Sequence, residues 1–462
     1  MSNGQLPDYI TKAVPNPPTN RTAWYKSTAP TYAGIMLWFV FWQDVPSGGS
    51  ALPGGTLAAG LGTALLGLVA AALICHFLFY LVPGLLGMKT GLPLYIVGTS
   101  TYGAKGGFVM PGFLMGVLQF GWLGVNTYFS SLAVNALFGG NPTVAKIIMV
   151  VWAIVAAFVG LKGIQYVAKV ATFLPAIPFV ILIIMFFTTA GGLGDFDAGK
   201  LVDAAKASNP AGTAAPLAAF GVFALMLTYI VGFFATAGAA GADFGMNNPD
   251  AKHVSRGGLV GIAGATIFAG GLSLLVAAGA FGLTGKPGLQ TASTGFMAAI
   301  TSDGAAKWMA ILLAVAAFPP ACFSSFIAAN SFKTTLPNVN PFVSVGIGTA
   351  VSIVLAVTGW AGDVIIVFKV IGASFGPICG AMMVDYLLSG KQWSGPRAGF
   401  NPAGWISWAG GFALGLLDIF GVIAVPAAPV VAFVIGAVLY FVLAKAGVQS
   451  AVIPMPAAAP KN

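Results

Sequence analysis

The chain contains no glutamate, and it has only three cysteines and two histidines. Every carboxylate is therefore an aspartate, scattered from Asp8 to Asp418. His76 and His253 lie far apart with no second ligand at metal spacing, which argues against a His/Cys metal centre. Cys75, Cys322 and Cys379 all fall in apolar stretches, where a thiol packs as a small hydrophobe, so no disulfide framework is expected. No phosphate-binding P-loop and no GxSxG elbow is present. Charge is scarce as well, at 7% of residues, against roughly 25% in soluble domains. Soluble enzyme chemistry is hard to build from this set. No enzyme activity and no cofactor are expected.

What fills the chain is apolar sequence, 58% of it hydrophobic. A bilayer-spanning helix needs about 20 apolar residues. Runs of that kind recur at about 30–52, 58–86, 107–137, 142–160, 165–190, 214–240, 256–283, 305–332, 341–360, 362–388, 403–421 and 424–444. The expected fold is an all-α integral membrane protein with about twelve transmembrane helices. Residues 1–29 are polar and Pro-rich, so no cleavable signal peptide is expected and they read as a cytoplasmic segment.

The cations set orientation through the positive-inside rule. With the N-terminus inside, Lys12, Arg21, Lys26, Lys89, Lys105, Lys162, Lys252, Arg256, Lys333, Lys391, Arg397, Lys445 and Lys461 face the cytoplasm. Lys200, Lys206, Lys286 and Lys307 face outward. The formal charge of +9 thus reads as topology and contact with lipid headgroups. Nucleic acid is not an expected partner, because the cations are dispersed over many short loops. The expected location is the cell membrane.

Four stretches carry chemistry. In the third span, GVLQFGWLGVNTYFSSLAVNAL holds Gln119, Trp122, Asn126 and Thr127. Trp122 and Asn126 share a helix face, and an indole one turn from an amide suits a flat, nitrogen-rich solute. The same pair also serves as glue between helices. In the first span, MLWFVFWQDVPSGGSALPGG interrupts an apolar run with Gln43, Asp44, Pro46, Gly48, Gly49 and Pro53. The helix is expected to unwind there, either as a plain kink or beside a cavity where freed carbonyls hold a cation. The sixth span, IVGFFATAGAAGADFG, is similarly Gly/Ala-rich around Phe234, Thr236 and Asp243. Two interrupted helices five spans apart are the pattern of a five-plus-five inverted repeat. In the eighth span, AVAAFPPACFSSFIAANSF places Ser324 and Ser325 mid-helix. Their hydroxyls either satisfy backbone carbonyls or supply hard oxygen ligands for Na⁺.

These segments together resemble the nucleobase:cation symporter-1 family, which includes bacterial hydantoin and cytosine transporters. The resemblance runs from about residue 30 to 390. QFGWLGVN is similar to the family's Gln-x-Gly-Trp-Phe-Gly segment, which makes Trp122 its stacking indole and Asn126 a hydrogen-bonding amide. GFFAT resembles GFWAT and puts Phe234 at a second stacking position. VIGASFGPICGAMMVDYLL resembles the family's Phe-Gly-Pro…Asp-Tyr ending, through Phe375, Gly376, Pro377, Asp385 and Tyr386. The resemblance also implies a pocket-facing Gln43 and a substrate-binding Asn330. It implies a sodium site from the backbone carbonyls of Phe39, Trp42 and Ala321 with the hydroxyls of Ser324 and Ser325.

The implied fold is the leucine-transporter-like 5+5 inverted repeat. Its core would be residues 30–390, with repeats at about 30–190 and 214–390, followed by two further helices and a tail over 391–462. The implied activity is secondary active, cation-coupled uptake of a nucleobase or related N-heterocycle (cytosine, purine, hydantoin or allantoin class) by alternating access. The coupling ion would be Na⁺, with H⁺ the alternative. The sequence departs from the family pattern in three places. Pro-Asp-Phe-(Ser/Thr)-Arg becomes Ala242-Asp243-Phe244-Gly245-Met246, losing the arginine. Lys369 stands in the tenth span and Asp44 in the first. Intramembrane charges are costly and point to function by default. Asp44 and Lys369 could pair, bind a charged solute or relay protons, or form a structural ion pair. A same-fold transporter of a small amine or amino acid, with Asp44 as counter-charge, is the alternative reading.

Overall fold

The computed structural model describes residues 6–455, apart from the side chains of Ile164, Ala168 and Val170. Residues 1–5 of the N-terminal segment, and Lys461 with the end of the tail, lie outside the described residues. The regular structure among the described residues is helical, and an isolated antiparallel bridge joins Arg397 to Val452. Among the described residues nine helices are long and apolar enough to cross a membrane. The remaining three expected positions hold the broken first span, the shorter Pro341–Val357 and the glycine-rich Pro402–Ile419.

Lipid tails are as apolar as leucine, so helices in a membrane associate through close packing of small residues. The second span and the segment after the sixth show this. A Cβ on Gly87 would overlap the Ala242 carbonyl, and one on Gly245 would overlap the Gly84 carbonyl. Large side chains such as Phe158, Phe187, Trp308 and Phe420 are left exposed on the outer surface.

The first span breaks earlier than its sequence indicates. Thr28–Leu37 is helical, Trp38 is extended at ψ 124°, and Phe39–Gln43 forms one further turn. The Trp42 indole donates to the Leu37 carbonyl at 3.0 Å, capping the exposed end. The irregular stretch after Gln43 follows the glycines: Gly48, Gly49, Gly54, Gly55 and Gly60 all have positive φ. The sixth span is an unbroken helix over Ala219–Ala239. Its interruption comes at Ala240, ahead of the short helix Gly241–Gly245, so Phe234 and Thr236 sit on regular helix. The eighth span, Asp303–Thr335, stays helical through Pro319 and Pro320. Each proline lacks an N–H, so the carbonyls of Val315 and Ala316 lose their donors.

The N-terminal segment packs under the bundle. Arg21 donates to the Met88 carbonyl at 2.7 Å, Asn16 donates to Met246 O at 3.0 Å, and Tyr9 donates to Ala104 O. It thereby ties together the ends of the second and sixth spans.

Candidate functional site

A cavity of about 840 Å³ opens among the first, third, sixth and eighth spans. That volume falls within the usual range for small-molecule sites. Its mouth lies on the side of the N-terminal segment, where exposed Pro30, Thr31, Asn330 and Lys333 line it. Its deep end is lined by Trp38, Trp122, Asn126, Phe233 and Leu313. Beyond that end the molecule is sealed by rings. Phe41 meets Phe233 at 4.6 Å, Tyr229 meets Phe368 at 5.0 Å, and Phe233 meets Phe368 at 5.4 Å. The Tyr229 hydroxyl donates to the Phe41 carbonyl at 2.6 Å, tying the seal to the first span. Access is therefore from one side.

The cavity gathers part of the residue set named from sequence. Trp122 lines it with its indole N–H donated to Thr236 Oγ1 at 3.3 Å. Its ring stands edge-on to Phe233, 5.3 Å away at 83°, and to Trp38, 6.0 Å away at 66°. Asn126 is buried and engaged on both sides. Its amide donates to the Ala317 carbonyl at 2.8 Å and its oxygen accepts from Trp152 at 3.1 Å and Ser130 at 3.2 Å. Asn126 thus bridges the third span to the eighth, just before its two prolines, while facing the cavity. Asn330 and Ser324 also line it, the latter donating to Pro320 O at 3.1 Å.

Other named residues face elsewhere. Phe234 is fully buried outside the lining, against Tyr32 at 5.8 Å. The cavity-facing ring is Phe233, one residue and so about 100° round the helix. Gln43 is buried off the cavity, its backbone carbonyl accepting from Thr291 N at 3.0 Å. The sodium set does not converge. Phe39 lines the cavity with Ser324, but the Trp42 carbonyl accepts from Ser273 Oγ at 2.5 Å on the seventh span. Ala321 packs with Leu123 and Ala156, and Ser325 abuts Gly160 of the fourth span.

The two intramembrane charges also lie outside the lining. Lys369 pairs with Asp418 of the eleventh span at 2.9 Å, so its partner is not Asp44. Asp44 caps the turn that follows it, accepting from Ser47 Oγ at 3.1 Å and, through its carbonyl, from Gly48 N at 2.7 Å. That is the structural outcome for both.

The cavity has further members that the sequence reading did not single out as site residues: Trp38, Phe233, Thr236 and, at the mouth, Asp243. Gln119 lines it too, and its amide nitrogen reaches the Met115 sulfur at 3.6 Å. Its position three residues before Trp122 on one helix face was the available signal. Phe233 had none, since two adjacent phenylalanines differ only in rotation.

Comparison with known proteins follows the same lines. The family described as permeases for cytosine/purines, uracil, thiamine and allantoin matches residues 29–394. The cytosine permease of Escherichia coli strain K12 is 28% identical over 197 residues, 41% of this chain and 42% of that protein. The O157:H7 cytosine permease matches to the same extent. The matched region thus spans about two fifths of these curated relatives. Among solved structures, inward-facing Mhp1 gives a TM-score of 0.65 at 16% identity, covering 94% of this chain and 95% of that one. Mhp1, described as a nucleobase-cation-symport-1 family transporter, in a closed conformation with bromovinylhydantoin, gives 0.63 at 15%, covering 96% and 98%. A Na⁺-coupled sialic acid symporter gives 0.55 at 12%, covering 97% and 93%. Likeness at these identities shows the fold, which is the leucine-transporter-like architecture expected from the motifs. With its match extending across most of the sequence, the chain belongs to the family of permeases for cytosine/purines, uracil, thiamine and allantoin.

Proposed function

We propose that this chain is a secondary active transporter of a neutral, planar N-heterocycle of the cytosine, purine, hydantoin or allantoin class. A cation drives it, and access alternates between the two sides of the cell membrane. The observation that carries this reading is the one-sided cavity with an aromatic, uncharged deep end. Trp122 offers a ring face to the solute and Phe233, edge-on to Trp122, packs beside it, and stacked or edge-on aromatic contact favours flat solutes. The amides of Gln119, Asn126 and Asn330 read its donors and acceptors. An analogue without that edge would leave the buried Gln119 amide with only its weak contact to the Met115 sulfur. Phe233 takes the role the motif gave to Phe234, and Gln119 the role it gave to Gln43.

Residues 30–390 form the transporter core in this reading, as two repeats over about 30–190 and 214–390. Residues 391–462 add two helices and a tail, and the N-terminus is cytoplasmic. The mouth then faces the cytoplasm. The coupling Na⁺ sits between the break at Trp38 and the Ser324 hydroxyl, two cavity-lining positions on different spans. Holding those spans together links ion and solute binding reciprocally. The amine reading has less support, because its counter-charge, Asp44, lies off the cavity.

Proteoliposome uptake tests this directly. Radiolabelled cytosine, uracil and hydantoin are offered under an imposed Na⁺ gradient, with simple amines as competitors. Saturable, Na⁺-stimulated uptake of one ring, unaffected by amines, is expected. Uptake of amines that the rings do not inhibit would overturn the reading.

A further inference from the structure

Among the described residues Asp243 is the one acid that lines the cavity, and neither the stacking aromatics nor the amides give it a task. It lies just past the sixth span, in the short helix Gly241–Gly245. One carboxylate oxygen, Oδ1, accepts the Leu94 N–H at 3.1 Å. Leu94 and Tyr95 line the mouth from the helix Leu94–Val97. Asp243 therefore fastens a wall of the mouth to the end of the sixth span. Among the described residues it forms no ion pair. The sequence accounts for this. Where the family motif carries an arginine three residues on, at a spacing that shares a helix face, this chain has Met246. The carboxylate keeps its place and lacks its neighbouring cation.

We propose that Asp243 is a proton-binding site at the cavity mouth, and that its protonation loosens the tie between Leu94–Val97 and the sixth span. This rests on the transporter reading for its consequence, but the site itself does not. The groups around Asp243 fit the assignment. The phenol of Tyr95 on the mouth helix and that of Tyr32 on the first span lie close enough to feel its charge. Lys333 is the cation lining the same cavity, on the eighth span. Burial pushes the Asp243 carboxyl up to about 6, against the opposing pull of the Leu94 N–H. A carboxylate acceptor makes a stronger hydrogen bond than a neutral carboxyl. Above that pH the charged form holds the Leu94 N–H and the mouth wall stays fastened. Below it the neutral acid holds more weakly and the wall is free to move. Faster closing and reopening of the mouth should then raise turnover.

Two measurements on the purified full chain test this. The first is the infrared band of protonated carboxyl groups, followed from pH 8 to pH 4 (about two units either side of 6) without any solute. A component titrating near 6 should be present in the wild type and smaller by one carboxyl in Asp243→Asn, which keeps an oxygen for the Leu94 N–H. Met246→Arg, which restores a cation one turn away, should move that component to lower pH. The second is proteoliposome uptake at a fixed Na⁺ gradient. Wild-type uptake should rise about two- to fivefold as pH on the mouth side falls through 6, the loss of one charge-assisted hydrogen bond being of that order or larger. Asp243→Asn should be insensitive to pH and stay at the higher rate. An unchanged carboxyl band in Asp243→Asn would overturn the site. A band that shrinks as expected, with a wild-type pH profile retained by the variant, would overturn the effect on the mouth. A titrating Asp243 in a protein that carries no heterocycle would remove the transporter reading and leave the proton site standing.

Discussion

Around spans ten to twelve the protein buries one ion pair and half-buries a second, whereas the deep end of its cavity is lined by uncharged groups. Asp385 meets Arg397 at 3.4 Å and accepts from Tyr440 at 2.8 Å and Thr101 at 3.2 Å. Arg397 also donates to the carbonyls of Ser100 at 2.8 Å and Ser450 at 3.0 Å. That network ties the end of the tenth span to the connection between the second and third spans, and to the tail. Lys369 with Asp418 does similar work a few turns away, and Asp418 Oδ1 accepts Val425 N at 2.9 Å in the turn between the last two helices. The cavity has Trp122, Phe233, Gln119 and Asn126 instead. Intramembrane charge is read as function by default. Here the charges hold the scaffold, and in the proposed function recognition falls to neutral groups.

The sharpest way to break that division is to cut the scaffold pair. Arg397→Met leaves Asp385 buried without its cation and should destabilise the fold by about 3–5 kcal/mol. Thermal unfolding and the yield of folded protein report this. Solute affinity in the folded fraction should not change. Replacing both partners, as Asp385→Asn with Arg397→Gln, should recover much of the stability.

The cavity should respond in the opposite way. Trp122→Ala should weaken ring binding by about 1–3 kcal/mol, the range for stacking a base on an aromatic side chain, while the unfolding temperature moves little. Phe233→Ala should weaken binding more than Phe234→Ala, because only Phe233 faces the cavity. Isothermal titration on detergent-purified protein separates them. Equal losses would put both rings in one packing unit and blur the division.

Smaller effects are expected at the cation. Ser324→Ala should reduce Na⁺-stimulated uptake by about fivefold, roughly 1 kcal/mol for one oxygen ligand on the hydrogen-bond scale. Ser325→Ala should leave the Na⁺ dependence in place, since that hydroxyl lies off the cavity beside the fourth span. The smallest effect belongs to Asp44→Asn. Asparagine keeps an oxygen for Ser47, so uptake under Na⁺ and proton gradients should stay within about twofold, within 0.5 kcal/mol. Abolished concentrative uptake would bring Asp44 back as a charge carrier.

The pattern of apolar runs was enough to locate the membrane helices, and ordered motifs were enough to indicate the fold. Trp122 stood out because an indole, an amide and a glutamine at helical spacing are rare in an apolar run. What the sequence concealed was rotation. Phe233 against Phe234, and Ser324 against Ser325, are neighbours of one type, and about 100° of helix decides which faces the cavity. The break in the first span was concealed for another reason. Proline and glycine mark Pro46 to Gly55, but the helix opens at Trp38, where the Trp42 indole reaches back to the Leu37 carbonyl. No local propensity signals a break held by a side chain four residues later. Lys369 looked functional because Asp418, 49 positions on, pairs with it only in the folded bundle.

Ligand-induced stabilisation of the purified protein tests neutral-ring recognition most directly. A solute that binds only the folded state raises the unfolding temperature by mass action. Wild-type protein is heated with cytosine, uracil, hypoxanthine, hydantoin or allantoin, and separately with amines of similar size, each with and without Na⁺. A neutral cavity flanked by Trp122 and Phe233 predicts stabilisation by at least one ring, larger in Na⁺ and lost in Trp122→Ala. Stabilisation by the amines alone, abolished by Asp44→Asn and untouched by Trp122→Ala, would contradict it.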